Sequence, residues 1–395
     1  MNRTTVLIIL VLAQFACVSL WFAANAVIAD LVATYAIQTS VGWITSMVQL
    51  GFIAGTLVFA LLGITDRYSP SKVFFISSIL GAAFNVALLV TGDHGVLIYA
   101  ARFLTGFFLA GIYPTGMKIA ADHFEKEISK ALGYLLGALV LGSAFPLLLR
   151  SGFLHLDWRM AVMMTSLLSL LALLGGIMVI LMIPDGPYRK ASTGFNLSIV
   201  FSIFKNAPLR KSVFGYFGHM WELYAFWAFV PTAVWYVANH LNPGISSYHV
   251  MGLSFIIIAV GSIACILGGY AALKIGNAKV ARFALICSGL CCLLSPWILE
   301  FNNQAVYFFL LFWGMTVIMD SPQFSSLVSK YAPVENRGSA LTIVNCIGFS
   351  ITIFSIQLLD FLSHTMEVRW IFLFLVPGPV FGVMALLSMK EEIGD

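Results

Sequence analysis

Twelve apolar runs divide this chain of 395 residues, and each run is about 20 residues long or longer. Because a helix of roughly 20 apolar residues crosses the hydrocarbon core of a bilayer, the pattern predicts twelve membrane-spanning helices. The alternating segments of about ten residues that are typical of membrane β-barrels are absent from the sequence. The predicted spans cover residues 6–29, 41–64, 73–91, 95–120, 131–150, 159–183, 211–238, 249–272, 280–299, 303–328, 339–361 and 368–389.

The composition excludes most soluble classes. Charged residues make up 10% of the chain, against about 25% in ordinary soluble domains. So few charges cannot cover the surface of a soluble protein, which excludes a soluble globular enzyme, a disordered tail and a nucleic-acid-binding protein. The net charge of +4 is too small to indicate a polyanionic partner. The expected surrounding is therefore the lipid bilayer.

The cysteines give no sign of a disulfide scaffold or a metal site. All six lie inside apolar runs, without a CxxC or a metal-ligand spacing, which predicts reduced, buried packing residues and no metal. They are Cys17, Cys265, Cys287, Cys291, Cys292 and Cys346. The first apolar run is too long for a signal-peptide core and has no obvious cleavage site, so it is expected to be a spanning helix.

The longest break between runs separates two groups of six. It predicts an N-terminal six-helix bundle over 1–183, a linker over 184–210 and a second six-helix bundle over 211–395. The two groups repeat each other at nearly constant offsets, which indicates an internal duplication. The matched pairs, 207 to 209 residues apart, are Arg67 and Lys274, Lys72 and Lys279, Val73 and Val280, Gly106 and Gly314, Pro114 and Pro322, Ala131 and Ala340, and Leu132 and Leu341.

Lys and Arg residues are distributed unevenly among the loops. If the N-terminus is cytoplasmic, the inner segments hold 17 of the 21 basic residues. The outer ends hold only Arg150, Arg159 and Arg369. The positive-inside rule then predicts that both termini face the cytoplasm. The short loops and brief linker favour a protein of the bacterial inner membrane.

Two sequence elements resemble signatures of the major facilitator superfamily. The loop after the second run reads GITDRYSPSK from Gly63 to Lys72, and the fourth run reads RFLTG from Arg102 to Gly106. They are similar to the family's Gly-x-x-x-Asp-Arg-x-Gly-Arg-Arg and Arg-x-x-x-Gly elements, with one residue fewer before the Asp and Ser69 in place of the second Gly. The resemblance implies an all-α integral membrane protein with 12 helices in two pseudo-symmetric bundles, acting as a monomeric transporter.

The loop after the second run is a candidate conformational latch formed by Gly63, Asp66, Arg67 and Lys72. A carboxylate at the end of a helix can bind a neighbouring helix N-terminus or an Arg in one conformation and lose that partner in another. The alternative is that its basic residues only fix the topology. The matching loop of the second half has Leu273 where Asp66 would align.

The seventh run carries His219 and Glu222, which are three residues apart and share a helix face. An ionisable residue inside a span is costly unless it is paired or hydrated, so each is a functional candidate. A carboxyl group in a low dielectric can hold and release a proton near neutral pH, and a neighbouring His can relay it. We expect a proton-coupling or substrate-binding pair; the alternative is a structural hydrogen bond between helices.

Arg102 and Asp320 are two further ionisable residues within predicted spans. The family resemblance implies that Arg102 faces inwards and couples a proton or anion, while the alternative is that its long side chain reaches outwards to the membrane surface. Asp320 is close to Pro322, which matches Pro114, and prolines at matched positions predict helix kinks at a moving site. Asp320 is expected to be a coupling acid or a gate residue, unless it is simply solvated.

Neutral polar and aromatic side chains within the spans are candidates to line a substrate cavity, because they offer hydrogen bonds and stacking surfaces to a polar organic solute. These candidates are Gln14, Trp21, Asn25, Tyr113, Tyr216, Trp227, Gln323 and Asn345.

Together these features predict a secondary active transporter that moves a small polar organic solute by alternating access. The proton gradient is the expected energy source, without a cofactor. The fifth run lacks the Gly-Pro dipeptide of the family's drug/proton antiporters, which favours uptake over export. An exporter of drugs or metabolites and a membrane sensor that binds without transporting remain open. The absence of HExxH, GxSxG and Walker motifs argues against an enzyme or an ATP-driven pump.

Overall fold

The computed structural model describes residues 2–28, 32, 39–91, 94–124, 128–152, 158–189, 201, 203, 205–241, 247–333 and 337–389. These residues form helices joined by turns and short loops, and none of them lies in a strand. The helices are α1 (Arg3–Val18), α2 (Val41–Leu61), α3 (Ile64–Arg67), α4 (Pro70–Ala87), α5 (Gly95–Leu109), α6 (Tyr113–His123), α7 (Ile128–Gly152), α8 (Trp158–Met182), α9 (Ala207–Leu241), α10 (Ser247–Ile275), α11 (Asn277–Ile298), α12 (Asn303–Met319), α13 (Ser321–Tyr331), α14 (Arg337–Ser363), α15 (Val368–Ile371) and α16 (Pro377–Leu386). Short 3₁₀ segments follow α4 and α15, at Leu88–Val90 and Phe372–Leu375.

The helices match the twelve predicted runs. Ten spans in the described part of the chain are long and apolar enough to cross a membrane. The other two runs are α1, whose regular helix has only 16 residues, and α9, which has 35 residues but carries His219, Glu222 and many Tyr and Trp side chains. Because helices satisfy their own backbone hydrogen bonds, they suit a lipid surrounding. The expected all-α membrane fold is confirmed.

The chain divides into two compact units, Met1–Gly194 and Phe195–Asp395. The predicted linker 184–210 lies partly outside the described residues. Within the first unit α2 packs on α5, α4 on α8, and α1 on both α7 and α8. The second unit repeats these pairings, because α10 packs on α12, α11 on α16, and α9 on both α14 and α16. Each unit therefore contains the same arrangement of six spans.

A matched pair of glycines sets one of these packings in each unit. A Cβ atom at Gly106 on α5 would collide with the carbonyl oxygen of Val48 on α2. In the second unit a Cβ atom at Gly314 on α12 would collide with the carbonyl oxygen of Ile257 on α10. Such close backbone approach through small residues is typical of helices that pack in lipid.

Both units also contain a broken span at matched positions. The fourth run is divided into α5 and α6 by turn residues at 110–112, and the tenth run is divided into α12 and α13 at Asp320. Pro114 and Pro322 stand in the first turns of α6 and α13. Proline fits there because the first N–H groups of a helix have no intrahelical partner.

The first span departs from the prediction of one regular helix over 6–29. Its regular helix ends at Val18, and residues 19–27 continue as a series of turns. The carbonyl oxygens of Leu20 and Trp21 accept hydrogen bonds from the side chain of Arg102 on α5. An Arg side chain that binds these carbonyls competes with the regular hydrogen bonds of a helix.

Candidate functional site

Glu222 lies in the interior of the second unit, with 1% of its surface exposed. Its carboxylate accepts three hydrogen bonds from two neighbouring helices. Trp313 Nε1 donates to Oε1 over 2.7 Å, Cys292 Sγ donates to Oε1 over 3.3 Å, and Ser288 Oγ donates to Oε2 over 2.8 Å. Both oxygens of an ionised carboxylate therefore have donors.

Aromatic rings fix the position of the strongest donor. The Trp313 indole lies 4.5 Å from the ring of Phe226, 5.6 Å from that of Phe309 and 5.4 Å from that of Phe372, measured between centroids. Such contacts restrict the indole to one orientation. Glu222 is thus held by a rigid donor on α12 and by two smaller donors on α11.

Ser288 can form a hydrogen bond with Glu222 whether the carboxyl group is ionised or protonated. Its hydroxyl lies within hydrogen-bond distance of Glu222 Oε2, and at 3.4 Å from the carbonyl oxygen of Leu285. When Glu222 is ionised, the hydroxyl donates to the carboxylate. When Glu222 is protonated, its O–H can donate to Ser288 Oγ while the serine donates to Leu285, because a hydroxyl both donates and accepts. Both protonation states keep their hydrogen bonds.

No cationic side chain in the described part of the chain forms an ion pair with Glu222. A buried carboxylate that lacks a counter-ion pays several kcal/mol of desolvation, which its neutral donors offset only in part. Protonation removes this charge. The arrangement is therefore chemically suited to bind and release a proton.

His219 and Asp320 form a second buried ionisable group in the same unit. His219 Nδ1 lies 2.8 Å from Asp320 Oδ1, and each side chain is 1% exposed. The contact is close enough for an ion pair when the imidazole is protonated. The imidazole also lies beside the rings of Tyr216 and Phe324, with centroids 6.0 and 5.9 Å away.

This pairing corrects the expected partnership of His219 with Glu222. The two residues share a helix face, but among the described residues Glu222 takes its hydrogen bonds from α11 and α12. Asp320 ends α12 at the break before α13, and there its carboxylate reaches Nδ1 of His219. Spacing along one helix could not reveal a partner that a distant helix break supplies.

Arg102 is a buried cation in the first unit. It is fully buried, so its side chain does not reach the membrane surface. Its guanidinium donates to the carbonyl oxygens of Leu20 and Trp21, over 3.1 and 2.5 Å, and to Asn85 Oδ1 over 3.2 Å. Asn85 in turn donates to Ser169 Oγ over 2.9 Å. Arg102 thus ties the turns after α1 to α4, and no carboxylate in the described residues pairs with it.

The structure describes the candidate latch only in part. Gly63 adopts a left-handed conformation, with φ of 59°, at the start of α3. Arg67 and Lys72 are exposed, while the side chain of Asp66 lies outside what the structure describes.

Asp185 and Arg189, which sequence analysis did not single out, anchor this loop. Ser69 Oγ donates to Asp185 over 2.5 Å, and Arg189 pairs with Asp185 at 2.6 Å and donates to the carbonyl oxygen of Tyr68 over 2.8 Å. The segment after α8 therefore holds the loop after α2. In the sequence, Asp185 and Arg189 belong to a short charged segment that also contains Pro184, Gly186 and Pro187. This segment was the signal that could have identified them.

The eight cavity candidates divide equally between the units. In the first unit Gln14 and Trp21 are fully buried and Tyr113 is buried, while the half-buried Asn25 donates to Thr45 Oγ1 over 2.7 Å. In the second unit Tyr216, Trp227 and Gln323 are buried and Asn345 is half-buried. Gln323 Nε2 donates to the carbonyl oxygen of Met319 over 3.3 Å.

One cysteine has more than a packing role. All six cysteines are free, and five are buried. Cys292 is buried and free as expected, and its thiol also donates to Glu222. Nothing in the sequence separates Cys292 from its neighbour Cys291, because both lie in the same apolar run.

The fold and the buried charges define a helical membrane protein built from two related units. The family model described as Major Facilitator Superfamily matches residues 6–356, and the chain belongs to this family. This membership confirms the resemblance that the loop and the fourth run indicated, and it identifies the chain as a transporter.

A solved structure shows a similar fold. The crystal structure of the human organic anion transporter MFSD10 (TETRAN) aligns with a TM-score of 0.76, covering 98% of this chain and 100% of that chain, at 15% sequence identity.

A curated relative matches over a shorter stretch. The puromycin resistance protein pur8 of Streptomyces alboniger is 35% identical over 147 residues, which cover 35% of this chain and 27% of that protein. The match thus spans about a quarter of the length of this relative.

Proposed function

We propose that this transporter takes up a small polar organic solute together with protons, and that Glu222 carries the coupled proton. The observation that carries the proposal is the Glu222 site: a buried carboxylate with three neutral donors and no cation among the described residues. Alternating access supplies the transport step, and the proton gradient supplies the energy without a cofactor.

His219 and Asp320 take a second role in this proposal. Their opposite charges compensate each other when both are ionised, so the pair does not need a proton to remain buried. Asp320 also lies at the break between α12 and α13, where a helix can bend. We assign to the pair the task of linking this break to α9, so that its rupture accompanies the conformational change.

We also propose a monomer in the bacterial inner membrane, with the described termini on the cytoplasmic side. The uneven distribution of Lys and Arg supports this orientation. Reporter fusions placed after Leu387 and within the loop at residues 300–302 test it. The first fusion should be active only as a cytoplasmic reporter and the second only as an external one, and the reverse pattern would contradict the orientation.

The coupling is tested in proteoliposomes that contain a trapped pH-sensitive dye. Each of a panel of amino acids, sugars, polyols, weak acids and heterocycles is added outside, and proton entry and solute entry are recorded together. The wild-type protein should move protons with at least one solute. Glu222→Gln should abolish this proton movement, whereas Ser254→Ala, in α10, should leave it intact. Solute entry without proton movement in the wild type would refute the coupling.

Export by proton antiport is a second candidate function, which the similarity to a puromycin resistance protein favours. A bacterial strain that lacks its own drug exporters and expresses the chain tests it. Export predicts growth at puromycin concentrations that stop the empty-vector strain, and Glu222→Gln should remove this growth. Unchanged susceptibility, together with solute entry in the proteoliposomes, supports uptake. Solute binding without flux in either direction indicates a sensor.

A further inference from the structure

Contacts between helices define the two ends of the second unit. At one end Tyr236, on the last turns of α9, donates to Oε1 of Glu300, which follows α11, over 3.0 Å. Arg369 on α15 pairs with the same oxygen at 2.9 Å. At the other end Asn206, which precedes α9, donates to the carbonyl oxygen of Tyr331, the last residue of α13, over 3.2 Å. We call these the Glu300 end and the Asn206 end.

Three phenylalanine rings lie on the Glu300 side of Glu222. Phe226 is four residues, or about one helical turn, further along α9 towards this end. Phe309 precedes Trp313 by four residues on α12, which begins at this end, and Phe372 lies near the start of the twelfth span. Each ring contacts the Trp313 indole, with centroids 4.5, 5.6 and 5.4 Å away, respectively. These four side chains form one aromatic cluster.

The aromatic cluster leaves no free hydrogen-bonding group on this side of Glu222. A Phe side chain has no polar atom, and the only polar atom of the Trp313 indole, Nε1, already donates to Glu222. Phe226, Trp313 and Phe372 are fully buried. Hydrophobic constrictions exclude water, and a proton needs water or polar groups to move along. The cluster therefore blocks the movement of a proton from Glu222 to the Glu300 end.

The Asn206 side of Glu222 is polar. Ser288 stands four residues before Cys292 on α11, which places its hydroxyl on this side of the carboxylate. His219 stands one turn before Glu222 on α9, and its Nδ1 faces Asp320 while its buried Nε2 has no hydrogen-bond partner among the described residues. A hydroxyl and an imidazole can each accept and release a proton. The groups that can exchange a proton with Glu222 thus lie towards the Asn206 end.

Phe372 belongs to a part of the twelfth span that is not a regular α-helix. It is the first residue of the 3₁₀ segment Phe372–Leu375, and a 3₁₀ segment within a longer helix often marks a hinge. Trp221 on α9 donates its indole N–H to the carbonyl oxygen of Phe374 over 3.0 Å, which holds the segment against α9. Rotation of this segment would move the Phe372 ring away from Trp313.

We propose that the aromatic cluster is a proton barrier, so that Glu222 exchanges its proton only with the Asn206 end in this conformation. The inference rests on the proposed function, in which Glu222 carries the coupled proton. In the proposed orientation the Glu300 end faces outwards and the Asn206 end faces the cytoplasm. The structure then represents the step at which an imported proton leaves Glu222. Uptake of the next proton from outside requires the 3₁₀ segment to withdraw Phe372.

A proton leak tests the barrier. Proteoliposomes with a trapped pH-sensitive dye are acidified outside in the absence of any solute, and the wild-type protein should admit protons no faster than protein-free vesicles. Phe226→Ala and Phe372→Ala each remove a buried ring and should raise the rate about fivefold or more, because water then reaches Glu222 from both ends. Adding Glu222→Gln should return the rate to the wild-type value. An unchanged rate in both folded variants would overturn the proposal, as would a leak that persists with Glu222→Gln.

Matched variants separate the barrier from a general loss of packing. Phe349→Ala removes a buried ring of α14 that lies outside the cluster and contacts Tyr224, and it should not leak. Phe226→Leu keeps a bulky apolar side chain in the cluster and should also remain closed. A leak in Phe349→Ala as large as that in Phe226→Ala would refute the barrier.

The melting temperatures of the purified variants show which of them fold. If neither variant that lacks a fully buried ring folds, Phe309→Ala takes their place, because the Phe309 ring is only half-buried and its removal disturbs the packing less. Phe309→Ala should then leak through Glu222. Wild-type tightness in this variant would overturn the proposal.

Failure of the barrier and failure of the proposed coupling give different results. If solute drives proton entry through Glu222 in the wild type but the ring variants do not leak, the barrier fails alone. If the ring variants leak through Glu222 while no solute drives proton entry in the wild type, the barrier stands and the coupling proposal fails.

Discussion

The two units share one helix arrangement but stabilise a buried charge in opposite ways. In the first unit, Arg102 donates to two backbone carbonyls and to Asn85. In the second, Glu222 accepts from three side chains. An Arg keeps its proton at all physiological pH values, so the first charge is permanent and shapes the backbone. A carboxylate can lose its charge to a proton, so the second charge can change during a transport cycle.

Equivalent positions of the duplication contact these two charges. Asn85 and Cys292 are 207 residues apart, the same offset that relates Lys72 to Lys279. Asn85 accepts from Arg102, whereas Cys292 donates to Glu222. One location in the ancestral bundle thus faces a cation in one unit and an anion in the other. In the proposed mechanism, the first unit therefore holds a fixed charge and the second unit holds the charge that titrates.

Removal of the fixed charge should have the largest effect on stability. Arg102→Leu leaves the carbonyl oxygens of Leu20 and Trp21 without their donors, and we expect the free energy of unfolding to fall by about 3 kcal/mol. Glu222→Gln should change it by less than about 1 kcal/mol, because an amide oxygen still accepts from Trp313. Denaturant or thermal unfolding in detergent measures both. Equal losses in the two variants would contradict the contrast between the units.

The fold and the charged residues of the candidate site could be predicted from the sequence, because both follow from the order of apolar and ionisable residues along the chain. Apolar runs of sufficient length define spans, and an ionisable residue within such a run stands out. Glu222, Asp320, His219 and Arg102 were found in this way, and all four are buried. The hydrogen-bond partners of these residues could not be predicted. For example, Ser288 and Trp313 lie 66 and 91 residues from Glu222 in the chain.

Neutral polar residues in apolar runs gave a weaker signal. Gln49 and Thr56 lie in a run whose sequence is typical of ordinary lipid-facing or packing segments. Only the structure shows that both are buried and that their side-chain polar atoms have no hydrogen-bond partner among the described residues. The break in the first span was also inaccessible. It depends on Arg102, which is 81 residues from Trp21 in the chain. Local sequence patterns cannot predict that a side chain on another helix will bind the backbone carbonyl groups of this span.

The duplicated close packing predicts an equal effect in both units. Gly106→Ala and Gly314→Ala each place a methyl group against the backbone of the facing helix, and each should cost about 1–3 kcal/mol. Gly133→Ala and Gly269→Ala are the controls, because a Cβ atom there meets nothing within 4 Å. The controls should be neutral or slightly stabilising. Thermal unfolding of the four variants measures these changes in stability. A loss of stability from only one of the two substitutions would contradict the equivalence of the two packings.

The smallest expected effect comes from Ser288, which tests whether Glu222 exchanges its proton through a neighbouring hydroxyl group. Ser288→Ala removes the group that exchanges between donating to Glu222 and accepting from it, at an expected cost of about 1 kcal/mol in stability. The solute-dependent proton flux should become slower, and Ser288→Thr, which keeps a hydroxyl, should restore most of it. Stopped-flow recording of the trapped dye measures the rates. An unchanged rate in Ser288→Ala would show that Glu222 exchanges its proton without this serine.

The central claim is that Glu222, and not Asp320, is the carboxyl group that gains and loses a proton inside the second unit. Infrared difference spectroscopy of the purified protein during a pH titration tests it directly, because protonated carboxyl groups have a distinct C=O band. The account predicts a reversible carboxyl band in the wild type that disappears in Glu222→Gln and persists in Asp320→Asn. A band that survives in Glu222→Gln and disappears in Asp320→Asn would contradict it.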